Sequence, residues 1–233
     1  MIRVPDRLRK RLRRLVRPAW LGTLRRTRPL SEHWGFDRGT PIDRHYIETF
    51  LAEHRDDIRG RVLEIKDSRY TDRFGTGVVE RAVLDVDPAN PLATIAADLA
   101  AADAAPSDRF DCFVLTQTLQ YVYDVRAAAM QAARVLRPGG VLLATLPAVS
   151  RVDRELAGTD CWRFTEAPAR RLFDEAFGPG QATVRSYGNV LTAVAFLTGM
   201  AREELSRREL EAHDDAYPLL IAVRAVKAGG PGA

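Results

Sequence analysis

From Arg61 onward, short runs of β-branched and aliphatic residues alternate with segments of helical periodicity. Strands that are buried on both faces read as continuous apolar runs, and crossover helices join parallel neighbours. The fold class predicted from this alternation is therefore α/β. Strands are predicted at 61–65, 81–86, 93–97, 110–116, 141–146, 182–187 and 219–226, and helices at 125–136, 166–177, 190–197 and 202–213. Thr165 is the expected cap of the second helix, and Gly178 is its expected stop.

The 233 residues suffice for one full core. Four regions are expected: a basic N-terminal extension at 1–30, a covering loop and helix at 31–60, the α/β domain at 61–227, and a disordered tail at 228–233. In the second region, Thr40 is the expected N-cap, Pro41 the first helical residue and Gly60 the stop. The apolar stripe of this helix should cover one face of the sheet.

The N-terminal extension carries most of the positive charge. Residues 1–28 contain eleven Lys or Arg and one acid, Asp6, so they sum to +10 and leave −6 for the remainder of the +4 chain. Val4, Leu8, Leu12, Leu15 and Val16 recur at helical spacing, which predicts a basic amphipathic helix. An anionic membrane, an acidic partner and a solvated arm remain open for it. For the chain as a whole, a homodimer also remains open. No specific nucleic-acid binding is expected, because the rest of the chain is acidic.

Cysteine and histidine usage argues against a disulfide framework or a metal site. The two cysteines, Cys112 and Cys161, lack ligand spacing, and Cys112 lies in an apolar run where a buried thiol is expected. The four histidines show no ligand spacing either. No apolar stretch reaches the length of a membrane span, so a cytoplasmic protein is expected.

Acidic residues follow several predicted strands. Glu64 ends the first strand, Asp85 and Asp87 the second, and Asp98 the third. Ligands of open parallel sheets bind at the carboxyl ends of the strands, where a carboxylate can accept hydrogen bonds from both ribose hydroxyls. Asp87 is the first candidate for that role and Asp85 the second, while Asp98 and Leu99 could contact an adenine. Taken singly, an Asp at such a position is more often a turn former or a surface charge, and the joint placement of these acids is what indicates a site.

The run Phe110-Asp111-Cys112-Phe113-Val114-Leu115 is followed by a helix and then by Arg134-Val135-Leu136-Arg137-Pro138-Gly139-Gly140-Val141-Leu142-Leu143-Ala144. It resembles the fourth strand, fourth helix and fifth strand of class I S-adenosylmethionine-dependent methyltransferases. The resemblance implies a Rossmann-like, seven-stranded, mostly parallel sheet with helices on both faces and an antiparallel last strand beside the fifth. It also implies S-adenosylmethionine as cofactor. Glu64 and its loop would hold the methionine moiety, Asp87 the ribose, Asp98 with Leu99 the adenine, and Gln117 would form the far wall.

The loop after the first strand departs from the family pattern. It reads Glu64-Ile65-Lys66-Asp67-Ser68-Arg69-Tyr70, with no glycine before Gly75, whereas glycines let the family's backbone approach the cofactor. Lys66 could neutralise the cofactor's carboxylate. Alternatively, it could fill the pocket and pair with Asp85 or Asp87.

Two further segments suggest the substrate. Trp162-Arg163-Phe164-Thr165 and the Trp34-to-Gly39 loop are similar to elements of small-molecule methyltransferases encoded near glycosyltransferases or natural-product enzymes. The expected reaction is O-methylation of a small hydroxylated metabolite, a sugar or a glycosylated natural product. His45 or Asp160 would be the general base, although a lone helical histidine such as His45 is more often structural. The acceptor side would be lined by Trp34, Arg38, Gln120, Tyr121, Trp162 and Arg163. A non-methylating enzyme and a non-enzymatic binding subunit are the alternatives.

Overall fold

The computed structural model describes residues 16, 22, 25–101 and 105–229. The predicted amphipathic helix falls almost wholly outside these residues, as do positions 230–233 of the predicted tail.

Seven strands form one sheet. They are β1 (Gly60–Ile65), β2 (Val78–Asp85), β3 (Ile95–Ala96), β4 (Phe110–Thr116), β5 (Leu136–Pro147), β6 (Ala182–Tyr187) and β7 (Leu220–Val226). Their order is β3-β2-β1-β4-β5-β7-β6, and β7 runs antiparallel to both of its neighbours. The predicted α/β class, the seven strands and the antiparallel last strand are confirmed.

Six α-helices accompany the sheet in the described part of the chain: α1 (Ile42–Glu53), α2 (Arg69–Phe74), α3 (Val125–Val135), α4 (Glu166–Phe177), α5 (Val190–Thr198) and α6 (Arg207–Glu211). Short 3-10 turns lie at Arg55–Asp57, Leu99–Ala101, Leu119–Tyr121 and Arg202–Glu204.

The core has two parts, one on each face of the sheet. Phe113 and Leu115 of β4 point into the cluster that contains α3 and α4, whereas Cys112 and Val114 point into the cluster that contains α1 and α5. This alternation follows from the two-residue period of a strand. Helices therefore cover both faces, and Cys112 is the buried thiol that its apolar run predicts.

The predicted bounds of α1 are wrong at both ends. Pro41 occupies the N-cap without a side-chain bond, and the Thr40 amide instead donates to the Glu203 carboxylate at 2.9 Å. The helix ends at Glu53 rather than continuing to Gly60. A 3-10 turn follows and directs Asp57 toward Arg224 of β7. The Arg224 Nε group donates to Asp57 at 2.8 Å.

Other boundaries also shift. The helix predicted at 202–213 is split into a 3-10 turn and α6, because Ser206 forms a capping box with Glu209 that starts a new helix. The sequence pattern missed α2, whose six residues are too few to show helical periodicity. Thr165 occupies the N-cap of α4 without donating or accepting a side-chain cap bond, and Gly178 ends that helix at φ 103°.

Candidate functional site

The strand order reverses between β1 and β4, because the chain turns from β1 toward β2 on one side and from β4 toward β5 on the other. A crevice at the carboxyl ends of these two strands is the expected ligand position in such a sheet. Lys66, directly after β1, has φ 70°, and Gln117, directly after β4, has φ 47°. A left-handed backbone costs a non-glycine residue about 1–2 kcal/mol, and such strain clusters at ligand sites.

Glu64 fixes the loop that follows β1. Its buried carboxylate accepts hydrogen bonds from the Tyr70 amide at 3.0 Å, the Thr71 amide at 2.8 Å and the Thr71 hydroxyl at 2.7 Å. Burial raises the pKa of Glu64 against the opposing effect of these three donors. The carboxylate therefore closes the loop on itself, and its predicted contact with a methionine moiety stays a prediction.

An asparagine joins the ends of β1 and β2. The Asn90 Nδ2 group donates to the Lys66 carbonyl at 2.8 Å and to Asp85 Oδ2 at 2.6 Å. Lys66 itself is exposed. Asp85 Oδ2 is thus occupied by its hydrogen bond with Asn90, which we call the Asn90 clamp. Lys66 is not buried in the crevice.

Asp87 and Asp98 lie at the same edge of the sheet, because β2 and β3 are parallel neighbours. Asp87 is exposed, and its Oδ1 accepts a hydrogen bond from the Ala89 amide at 2.8 Å. Asp98 Oδ1 accepts from the Ala100 amide at 2.9 Å, and the neighbouring Leu99 is buried. In both carboxylates one oxygen shapes a turn, and the other, Oδ2, has no hydrogen-bond partner among the described residues.

A cluster that the sequence analysis missed faces the same loop from α1. The Arg44 Nη1 group donates to the Tyr70 hydroxyl at 2.6 Å, and Asp43 accepts from the Arg44 amide at 2.8 Å. Burial raises the pKa of Asp43. Burial alone would lower the pKa of Arg44, but Asp43 and Tyr70 outweigh it, and the net pKa is raised. The packing of α1 over the loop creates this cluster, and no local motif marks it.

Gln120 connects the end of β4 to the long loop after β5. Its carbonyl accepts from the amides of Cys161 at 2.8 Å and Trp162 at 3.2 Å, while its Nε2 group donates to the Gln117 carbonyl at 2.9 Å. Its Oε1 atom is buried and has no partner among the described residues. Gln117, Gln120 and Trp162, which the sequence analysis selected separately, therefore lie together. Trp162 is 37% exposed and rests against Tyr123, so it is not a core residue.

The loop after β5 is organised by an ion pair. The Asp160 carboxylate accepts hydrogen bonds from the Arg163 guanidinium and from the Asp153 amide. Arg163 thereby lowers the pKa of Asp160. The Tyr121 hydroxyl donates to Asp153 at 3.3 Å, and burial, followed by Asp153, raises the pKa of Tyr121 to about 12.

The covering loop reaches the same place. The Arg151 guanidinium stacks 3.5 Å from the ring centroid of Trp34, and the Arg163 Nη2 group donates to the Arg151 carbonyl at 2.8 Å. Trp34 thus belongs with the loop after β5. Arg38 instead forms an exposed salt bridge with Glu204, apart from these contacts.

His45 lies on the first turns of α1, half-buried. Burial lowers its pKa, and the nearby Arg202 lowers it further, whereas Glu48 and Glu211 oppose the shift. The imidazole is therefore neutral near pH 7 and able to accept a proton. The two predicted bases lie in separate surroundings: His45 among charges on the α1 and α6 side, and Asp160 in the loop after β5.

Comparison with known proteins identifies the fold. Residues 73–144 match the methyltransferase domain family. A S-adenosylmethionine-dependent methyltransferase from Mesorhizobium loti is 18% identical, with a TM-score of 0.52 over 82% of this chain and 100% of that chain. The putative methyltransferase of Haloferax volcanii, solved in complex with the Trm112 methyltransferase activator, is 17% identical, with a TM-score of 0.54 over 80% and 91%. No curated protein has significant sequence similarity to the chain.

Residues 73–144 carry the methyltransferase domain signature, and the chain has the fold of S-adenosylmethionine-dependent methyltransferases. The methyltransferase match ends at Ala144 within β5, so the loop after β5 and the covering loop lie outside it. The [4+2]-cyclase SpnF also has this fold, with 15% identity and a TM-score of 0.53 over 87% of each chain. The methyltransferase fold therefore does not by itself determine the reaction. Within the described residues, no helix is long and apolar enough to cross a bilayer.

Proposed function

We propose that the protein uses S-adenosylmethionine to O-methylate a small hydroxylated metabolite, a sugar or a glycosylated natural product. The observation that carries the proposal is the reversal of strand order between β1 and β4. Lys66 and Gln117 hold left-handed backbone on its two sides, and Asp87, at the neighbouring strand end, presents a carboxylate oxygen with no partner among the described residues.

The residues around the crevice fit this cofactor. Asp87 Oδ2 would accept from the ribose hydroxyls, and Asp98 from the adenine amino group, with Leu99 against the base. The Arg44 guanidinium, already at the loop after β1, is the cation suited to the carboxylate end of the cofactor. Lys66 is a second candidate for that charge. The buried Gln120 Oε1, which has no partner in the part of the chain that the structure describes, offers a further acceptor behind Gln117.

When bound, S-adenosylmethionine supplies an activated methyl group, so the protein's main task is to align the acceptor oxygen with it. The contacts among Trp34, Gln120, Tyr121, Trp162 and Arg163 support an acceptor side between the covering loop and the loop after β5. Aromatic faces suit a sugar ring or a planar metabolite. The Arg163–Asp160 pair would hold the loop in the shape that presents these side chains.

A hydroxyl acceptor must lose its proton to a base within hydrogen-bond reach. Of the two predicted bases, His45 has the suitable charge state, because its lowered pKa keeps it neutral near pH 7. Asp160 is the weaker base, since Arg163 lowers its pKa and occupies its carboxylate. Charge state therefore favours His45 as the base, and Asp160 organises the loop after β5; the assignment to His45 requires an acceptor whose hydroxyl extends from that loop to α1.

The test is incubation of the full chain with methyl-labelled S-adenosylmethionine and a panel of hydroxylated glycosides, followed by mass spectrometry. The expected result is a product heavier by one methyl group, with an equal amount of S-adenosylhomocysteine. Cofactor binding by calorimetry without any labelled product would refute the proposed reaction, and absence of cofactor binding would refute the proposal as a whole.

The glycine-free loop favours a second candidate, a reaction on the same fold without methyl transfer. Glu64 closes this loop internally, and one protein of the same fold is named a cyclase. Substrate turnover that releases no S-adenosylhomocysteine would support this candidate over the first.

A further inference from the structure

Helix α5 carries an apolar stripe on its outer face. Its nine residues, Val190–Thr198, include no charged side chain. The inner face packs into the core through Thr192, Ala195 and Phe196. Four aliphatic side chains on the outer face remain between 37% and 52% exposed: Val190, Leu191, Val194 and Leu197. Their spacing places them on one side of the helix, and such a contiguous patch marks an interaction surface.

Basic residues enter at the C-terminal end of the stripe. The amides of Leu30 and Ser31 donate to the Thr198 carbonyl at 2.7 and 3.4 Å, which anchors the preceding chain there. Arg25, Arg26 and Arg28, all exposed, lie within five residues of Leu30. The acids nearest this end already have partners, since Asp37 accepts from the Ser31 hydroxyl and Glu32 from Arg154 at 3.1 Å.

We infer that the stripe on α5, together with these arginines, docks the protein on an anionic lipid bilayer. Apolar side chains on one helix face with arginines beside them match the side chains that interfacial helices bring to the acyl boundary and the headgroups. The +10 charge of residues 1–28 adds electrostatic attraction between the protein and an anionic bilayer. A second copy of the chain is disfavoured, because a stable dimer needs about 800 Å² from each partner and four partly exposed side chains provide much less.

The covering loop lies next to the stripe on α5, which affects how an acceptor could reach the site. Gly35 of the covering loop lies against the Met200 carbonyl, just beyond α5, and Phe36 is 57% exposed beside it. A bilayer on α5 would therefore meet the covering loop, so an amphipathic acceptor could enter from the membrane. This step rests on the proposed function, whereas the docking itself does not.

The test is sedimentation of the full chain with vesicles of phosphatidylcholine containing 30% phosphatidylglycerol, and with phosphatidylcholine alone. Saturable binding to the anionic vesicles only is expected, weakened by 0.5 M NaCl. Val194→Glu should weaken binding at least 10-fold. Met130→Glu, a matched change at a 54% exposed site on α3, should change it less than 2-fold. Replacing Arg25, Arg26 and Arg28 by alanine should cost at least 10-fold, since each basic residue near the surface contributes about a factor of 5.

Several results would overturn the inference: no vesicle binding by the wild-type chain, undiminished binding by Val194→Glu, or equal losses in Val194→Glu and Met130→Glu. A dimer in sedimentation velocity that Val194→Glu dissociates, without vesicle binding, would assign the stripe to a second copy. Circular dichroism and the thermal midpoint check that each variant is folded, and Leu197→Ser replaces Val194→Glu if that variant unfolds. Vesicle binding is measured without cofactor, so its failure is distinct from failure of the proposed methyl transfer.

Discussion

Replacing Asp87 by asparagine tests the proposed contact with the ribose while keeping the turn that Asp87 forms. Asp87 Oδ1 accepts from the Ala89 amide at 2.8 Å, and an asparagine amide oxygen can accept the same bond. The asparagine NH₂ group would then take the place of Oδ2, so the acceptor for the ribose hydroxyls is lost while the turn is kept. The fold of Asp87→Asn should therefore be unchanged, and its effect should be confined to the cofactor.

The expected loss follows from the strength of a hydrogen bond to a charged acceptor, about 1.5–3 kcal/mol. Asp87 is exposed, so the lower end applies, and about 1.5 kcal/mol corresponds to a roughly 10-fold higher Kd for S-adenosylmethionine. Asp87→Ala loses the hydrogen bond to the Ala89 amide as well as the acceptor for the ribose, and it should raise Kd about 100-fold. Isothermal titration calorimetry measures these constants directly.

The matched control is Asp56→Asn, in the exposed 3-10 turn before β1, at the opposite edge of the sheet. It should leave Kd unchanged. Equal Kd values for the wild-type protein and Asp87→Asn would refute the reasoning, as would equal losses in Asp87→Asn and Asp56→Asn.

Three further predictions address the loop, the ion pair and the base. Lys66→Gly removes a left-handed cost of about 1–2 kcal/mol but adds about 0.5–1 kcal/mol of chain entropy, so urea unfolding should show up to about 1.5 kcal/mol more stability, and Lys66→Ala should show no such gain. Arg163→Gln should lower the free energy of unfolding by about 1–2 kcal/mol at pH 7. The pKa of Asp160 is lowered in the folded state, so the contribution of the ion pair is present above pH 3.8 and is lost as pH falls through the lowered pKa; a stability difference that does not shrink in strong acid would contradict it. His45→Gln should reduce kcat by about 10²- to 10⁴-fold, and the wild-type kcat/KM should fall only below pH 6.5, whereas an unchanged pH profile in the variant would exclude His45 as the base.

The sheet could be predicted from the sequence because its strands carry their signal locally. β4 and β6 have the predicted bounds, since each is an apolar or alternating run closed by turn residues. α2 could not be predicted, because its start depends on Glu64 accepting the Tyr70 and Thr71 amides. The 3-10 turn after α1 places Asp57 against Arg224, a contact between residues 167 positions apart that no local pattern marks.

The candidate site also contains residues that could be predicted from the sequence and residues that could not. Asp87 and Asp98 could be selected from the sequence, because parallel strands bring their carboxyl ends to one edge. The Asn90 clamp on Asp85 and the position of Arg44 at the loop after β1 arise from packing between elements, and no spacing in the sequence marks them. The salt bridge between Arg38 and Glu204 joins residues far apart in the sequence, so no local pattern predicts it.

The central claim is that the crevice between β1 and β4 binds S-adenosylmethionine. Hydrogen exchange of the full chain, followed by mass spectrometry with and without the cofactor, tests it most directly. The account predicts saturable protection of residues 64–70, 85–99 and 116–120, which form the three sides of the crevice. Unchanged exchange at saturating cofactor, or protection confined to other segments, would contradict it.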